Sequence, residues 1–153
     1  MSKRKRIITL GTWDGKPIEW IVASKHKFTF LVLKNNLFNR LYDRSSSNWK
    51  TSDIRNFLNG DFFNKAFSDD EKKAIINVYL NDAKTKDNVF LLSVDEFRSL
   101  DSETQAFDGN CCYATRTTVD ATRVHDVEAT DSVSSRSVGD TLCIRCAMYI
   151  REK

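Results

Sequence analysis

Apolar residues come in short blocks between polar turns, and the period of each block predicts its element. Residues 7–10 form a brief apolar strand, followed by a turn at residues 13–17 that holds a Gly and the only Pro of the chain. Residues 18–23 read as a strand with Ile18, Trp20 and Val22 on one face. Residues 28–33 are β-branched and aromatic enough for another strand. Lys25-His26-Lys27 makes the polar hairpin between these two strands, with His26 a solvated turn residue.

The middle of the chain changes to helical spacing. Ser45–Asn48 is a polar loop, and Thr51 or Ser52 can cap a helix whose apolar face is Ile54, Phe57 and Leu58. Gly60 is placed to stop that helix. Residues 61–67 carry three Phe for a core. Ser68 with Glu71, and Ser93 with Glu96, have the spacing of capping boxes, so helices should begin at both sites. Between them, residues 89–92 have the length of an apolar strand. After Asp108 the periodicity fades until residues 142–150, where Leu142, Ile144, Cys146, Met148 and Ile150 alternate with Cys143, Arg145, Ala147 and Tyr149. This pattern predicts one α+β domain with two or more short helices, antiparallel strands, and a long irregular C-terminal region before a final strand. Residues 1–6 form a basic arm and residues 7–153 the domain. Pairing of the terminal strands would bring the two ends together.

Composition changes that picture at one place. From Cys111 to Glu152 there is no Lys and no Asn, although both are frequent before Cys111. Lys and Asn have the most adenine-rich codons, so the break can have a genetic cause. Elsewhere the composition is ordinary for a globular chain of 153 residues, with 41% hydrophobic residues, including 10 Phe and 3 Trp. The net charge of +3 is concentrated in Lys3-Arg4-Lys5-Arg6, read as a solubilising terminus with nucleic-acid contact as the alternative. No signal-peptide pattern or membrane-length apolar run is present.

Candidate chemistry is sparse. Cys143 and Cys146 have CxxC spacing but lie in the predicted last strand, and Cys111 and Cys112 are adjacent, a poor arrangement for tetrahedral zinc. Free, partly buried thiols are therefore expected. None of the 5 Gly falls in a phosphate-loop spacing, and no metalloprotease or nucleophile-elbow motif occurs. Cys111 or Cys112 with His125 and Asp126 could form a Cys–His pair on paper, but a shared polar surface is the favoured reading. No cofactor is expected. Asp69, Asp70 and Glu71 are read as helix-capping acids.

Several segments also resemble a known family. Ile18-Glu19-Trp20-Ile21-Val22 resembles the "IEWRVL" strand of a prokaryotic lectin-like domain of unknown function. Residues 49–59, 61–68 and 89–93 are similar to its "W-x-x-S-x-(L/I)-R-x-(W/F)-L-N", "F-(Y/L)-N-x-A-F-S" and "VFLLS" segments, in the same order. The tail departs: Arg116 alone survives of "WWLRSPG", and "VRPALWI" becomes residues 144–150, which also resemble the "GFRCA" ending of the formylglycine-generating-enzyme-like branch of the C-type lectin fold.

The resemblance implies a single-domain C-type lectin-like fold. That fold also serves the variable proteins of diversity-generating retroelements, prokaryotic or viral, which rewrite adenines near a gene's 3′ end. Residues 110–136 would then be the hypervariable region of a non-enzymatic ligand-binding protein. A lineage with a fixed Arg- and Thr-rich tail and a fixed partner remains the other reading, and a cysteine-dependent enzyme the third. The expected surface is Cys112, Tyr113, Ala114, Thr115, Thr117, Asp120, Arg123 and His125, with Tyr and Arg as anchors. Arg116, Arg145 and Trp20 are expected to be structural. The expected partner is a protein, contacted by a monomer. The Glu-Pro-Asn and Trp-Asn-Asp signatures of calcium-dependent sugar binding are absent, so no calcium is expected.

Overall fold

Strand-forming blocks from the two ends of the chain meet in one sheet. The computed structural model describes residues 6–108, 111–129 and 132–152. Lys3 to Lys5 of the basic arm and Asn110 at the start of the candidate variable region lie outside them, as do Thr130 and Asp131 within it. In chain order the strands and helices are β1 (Ile7–Trp13), β2 (Lys16–Lys25), β3 (Thr29–Leu33), β4 (Asn39–Leu41), α1 (Asp53–Phe57), α2 (Phe63–Ala66), α3 (Asp69–Ala74), β5 (Val78–Leu80), β6 (Thr85–Asp87), β7 (Phe90–Leu91), α4 (Val94–Ser99), α5 (Ser102–Gln105), β8 (Tyr113–Asp120), β9 (Arg123–Ala129), β10 (Ser132–Ser137), β11 (Thr141–Cys143) and β12 (Cys146–Ile150). One sheet runs β1-β2-β3-β12-β7, a second runs β10-β9-β8-β11-β4, and β5-β6 is a separate hairpin. Apart from the parallel contact between β11 and β8, the pairings are antiparallel. The domain is α+β.

The first hairpin turns through Asp14 and Gly15, both at positive φ, so Trp13 pairs with Lys16 across a two-residue turn. Trp20 is fully buried and its indole N–H donates to the Leu10 carbonyl at 2.9 Å. β1 and β12 share a sheet without being neighbours, and the chain ends meet through ion pairs from Arg6 and Lys25 to Glu152. Both capping boxes form, Ser68 with Glu71 at α3 and Ser93 with Glu96 at α4. Glu71 also accepts from the Gly11 backbone N–H at 2.8 Å, fastening α3 to β1. Burial opposes its charge, but these hydrogen bonds outweigh burial and hold its carboxyl below the usual range.

Three expectations are corrected. Gly60 does not stop the helix: the chain passes through it in a wide turn over Leu58–Phe62 and continues into α2. Burial of Leu58 and Phe62 favours this path, and Asn59 ties it to the carbonyl of Val89 and the amides of Asn88 and Val89. The long irregular C-terminal region is instead a three-stranded antiparallel meander, β8 to β10, with bulges in both pairings. Thr, Val and Ser suit a pleated surface, but β8 is buried on successive residues at its start and exposed at its end, so no alternation shows. Residues 142–150 form two strands in different sheets, because Arg145 between them turns fully inward.

Among the described residues no helix is long and apolar enough to cross a membrane. Gly11 sits in the β1 bulge at φ +80, where a Cβ would lie 2.7 Å from the Phe67 ring and 2.9 Å from the Ala66 carbonyl oxygen. Gly11→Ala therefore combines backbone strain with a clash and should cost about 2–4 kcal/mol in urea unfolding. A change within about 0.5 kcal/mol would mean the close approach is absent.

Candidate functional site: a polar cleft beside the C-terminal meander

The loop after β4 is shaped by one carboxylate. Asp43 accepts backbone N–H groups of Ser45, Ser46 and Asp53 at 2.8–3.0 Å. Burial opposes the Asp43 charge, but those donors prevail and hold its carboxyl below the ordinary range. Ser47 then donates from its backbone to the Ala121 carbonyl and from its hydroxyl to the Asp120 carbonyl, fixing the loop against the β8–β9 turn. Trp49 donates its indole N–H to buried Asp87 at 2.9 Å, and Asp87 also receives Arg55 at 2.6 Å.

Between this loop, the β5–β6 hairpin, the start of α4 and the middle of β8 lies a cleft of about 800 Å³. Arg116 forms its floor. Its guanidinium Nε and Nη2 reach both oxygens of Asp82 at 3.1 and 2.8 Å, and Nη1 reaches Glu96 at 2.5 Å and the Leu91 carbonyl at 2.6 Å. The guanidinium also lies 5.4 Å from the centre of the Phe90 ring. Burial would weaken the charge, but the two carboxylates overcome that and raise its pKa. Arg116 is thus held in an ion-pair network with Asp82 and Glu96.

Arg145 is the hydrogen-bond counterpart. It is fully buried, donates to the carbonyls of Leu33 at 3.0 Å and Gln105 at 3.3 Å, and reaches the Tyr113 hydroxyl at 3.3 Å. Its guanidinium lies 4.9 Å from the Phe107 ring centre and 5.4 Å from that of Tyr113. Burial pulls its pKa down.

The expected binding surface divides in two. Tyr113, Ala114 and Thr115 are buried and belong to the core, which corrects their assignment as ligand contacts. Tyr113 packs edge-on to Phe97 and Phe107 and donates to the Gln105 carbonyl at 2.9 Å, and burial pushes its phenol up. Thr115 donates to the His125 carbonyl at 2.8 Å. Asp120 is exposed, while Cys112, Thr117, Arg123 and His125 are half-buried. Thr117 accepts the Val94 amide and lines the cleft. Arg123 donates to Ser135, and the His125 ring Nδ1 lies 3.2 Å from the Ser134 carbonyl oxygen. Arg123 and His125 share one face of the meander by register.

Cysteine chemistry also differs from expectation. Cys111 and Cys143 form a disulfide, with Cα atoms 6.3 Å apart, and only Cys112 and Cys146 are free. Their separation of 32 residues conceals the pairing, but β8 and β11 bring Tyr113 beside Cys143. Cys146 is buried and its thiol is pushed up to about 12 by burial. The Cys112 thiol faces the Glu128 carbonyl, and buried Asp126 bonds Arg136, so the candidate Cys–His residues have separate partners. Among the described residues no group of three or more His, Cys, Asp or Glu is placed to hold a metal ion.

Residues 28–152 match the family model described as Domain of unknown function (DUF6273). The chain belongs to this family. No curated protein and no solved structure matches it. Within this DUF6273 chain the matched span starts after the β1–β2 hairpin and contains every residue of the cleft. Sequence reasoning missed the cleft's Tyr79, Asp82 and Asp95. The available signal was a Tyr followed by an Asn-Asp pair in a strand–turn pattern, with a carboxylate opposite it on a capped helix.

Arg116→Met removes every polar contact of the guanidinium and should destabilise the chain by about 2–4 kcal/mol, the range being moderated by the partial exposure of its partners. Arg116→Lys should recover little, because a single ammonium cannot meet both carboxylates and the carbonyl in the planar fork geometry. Urea unfolding of the three proteins tests this; full recovery by Lys would show that charge alone matters.

Proposed function

We propose that this protein is a non-enzymatic binding module with a C-type lectin-like fold, whose C-terminal meander contacts a protein ligand and is diversified by a retroelement. The observation that carries the reading is the coincidence of two boundaries. The Lys- and Asn-free segment begins at Cys111, and the β8–β10 meander begins two residues later. The family motifs and the joining of N- and C-terminal strands in one sheet support the fold assignment.

The meander's burial suits a surface that changes without loss of the scaffold. Its start is anchored by Tyr113 and Arg116, whereas Thr118, Val119 and Asp120 at its other end are exposed. Val119 is a large apolar side chain 44% exposed, and Tyr79 across the cleft region is 51% exposed, the types of side chain that protein partners cover. Arg123 and His125 add polar groups on one face of β9, whereas Glu128 lies on the other face with Asp126. The working contact set is therefore Thr117 to Asp120 with Arg123 and His125, and excludes Tyr113 to Thr115.

Sequencing this gene and its neighbourhood across a population of the source organism tests the reading. A reverse transcriptase gene and a near-copy repeat are expected nearby, with substitutions clustered at the exposed codons between 117 and 128. Codons 113–116, 124 and 127 should be spared. An invariant tail without such a neighbour would remove the diversification, and equal variation at the buried codons would contradict the assigned surface.

A further inference from the structure

We propose that the cleft floored by Arg116 receives a cationic side chain of the ligand, an arginine guanidinium or lysine ammonium. This deepens the binding reading and rests on it. Three carboxylates, Asp82, Asp95 and Glu96, line the cleft against the single guanidinium of Arg116, so its formal charge is negative by two. The carboxylates are not equally engaged. Glu96 and Asp82 hold Arg116, yet the Asp82 side chain remains 49% exposed, and exposed Asp95 makes no hydrogen bond or ion pair among the described residues.

The cleft's one cation offers an anion little. Every nitrogen of Arg116 is already bonded inside the protein. Three backbone donors at the start of α4 are also taken: the Ser93 amide by Glu96, the Val94 amide by Thr117 and the Glu96 amide by Ser93. The cleft's unengaged charge is thus acidic, and its positive groups face inward.

The walls add the second requirement of cation recognition. Tyr79 is a half-exposed aromatic on the β5–β6 hairpin, and half-buried Tyr149 lines the cleft as well. Tyr149 is held stacked on Phe30 at 4.8 Å between ring centres, so the wall is rigid. A guanidinium or ammonium gains from an aromatic face and a carboxylate together, and a cleft of about 800 Å³ accommodates a long side chain with its flanking backbone.

The test is an NMR titration of the intact, isotopically labelled chain with N-acetyl-arginine methylamide and N-acetyl-lysine methylamide. The matching citrulline and glutamate derivatives serve as neutral and acidic controls. Amide shifts should change at residues 79–83, 93–96 and 116–118 with either cationic probe, and affinity for the citrulline probe should be at least about tenfold weaker. Asp95→Asn and Tyr79→Ala, both at exposed positions, should each weaken the cationic probes about threefold or more while leaving the melting temperature unchanged. Equal response to citrulline, preference for glutamate, or undiminished binding by both variants would overturn the proposal. Failure here removes the cation assignment alone, since the population sequences decide the binding reading without reference to this cleft.

Discussion

A buried guanidinium needs partners on every side, and the way Arg116 finds them organises the C-terminal half of this protein. Only 3% of its side chain is exposed. Isolated at that depth the charge would cost several kcal/mol, so the structure supplies two carboxylates, a carbonyl and an aromatic ring. Those partners come from the β5–β6 hairpin, α4 and β7, elements that also place Leu80, Phe90, Leu91 and Phe97 in the core. One residue on β8 therefore positions the meander relative to the helices and the first sheet. Its planar fork makes that positioning directional, which apolar contact alone is not.

Arg145 repeats the device only in part and with different chemistry, its Nη2 having no hydrogen-bond partner among the described residues. It has backbone carbonyls and the Tyr113 hydroxyl as partners, together with two aromatic rings. Because it leaves β11 and turns inward before β12, it also separates the two sheets at the place where the chain passes from one to the other. Arg145 and the Cys111–Cys143 disulfide both hold the start of β8. The far end of β8 is free of such ties apart from the loop contacts of Ser47. Rigidity at one end and exposure at the other allow one strand to belong to the scaffold and to the proposed binding surface.

Legibility followed locality. The Ser68–Glu71 and Ser93–Glu96 caps, the Asp14-Gly15 turn and the β2 and β3 strands depend on neighbours within a few residues, and all were readable from the sequence. The structural roles of Trp20, Arg116 and Arg145 were readable only through their motif positions. The meander was not, because Thr115 and Arg116 are buried by partners far along the chain, so burial on β8 does not alternate. The same non-locality hid the disulfide and moved Tyr113, Ala114 and Thr115 from the expected surface into the core. Gly60 misled for a related reason: the tertiary demand to bury Phe62 outweighed a local stop signal. The cleft was least legible of all, since its walls come from five segments brought together only by folding.

The central claim is that an invariant frame and a freely substitutable surface share the same three strands. Saturation mutagenesis of residues 111–137, read out as protease resistance of each folded variant, tests it most directly. The account predicts two separate classes: polar or charged substitutions rejected at Tyr113, Ala114, Thr115, Arg116, Val124 and Val127, and nearly all substitutions accepted at Thr118, Val119, Asp120, Thr122 and Glu128. Uniform tolerance across both sets, or rejection at the exposed positions, would contradict it.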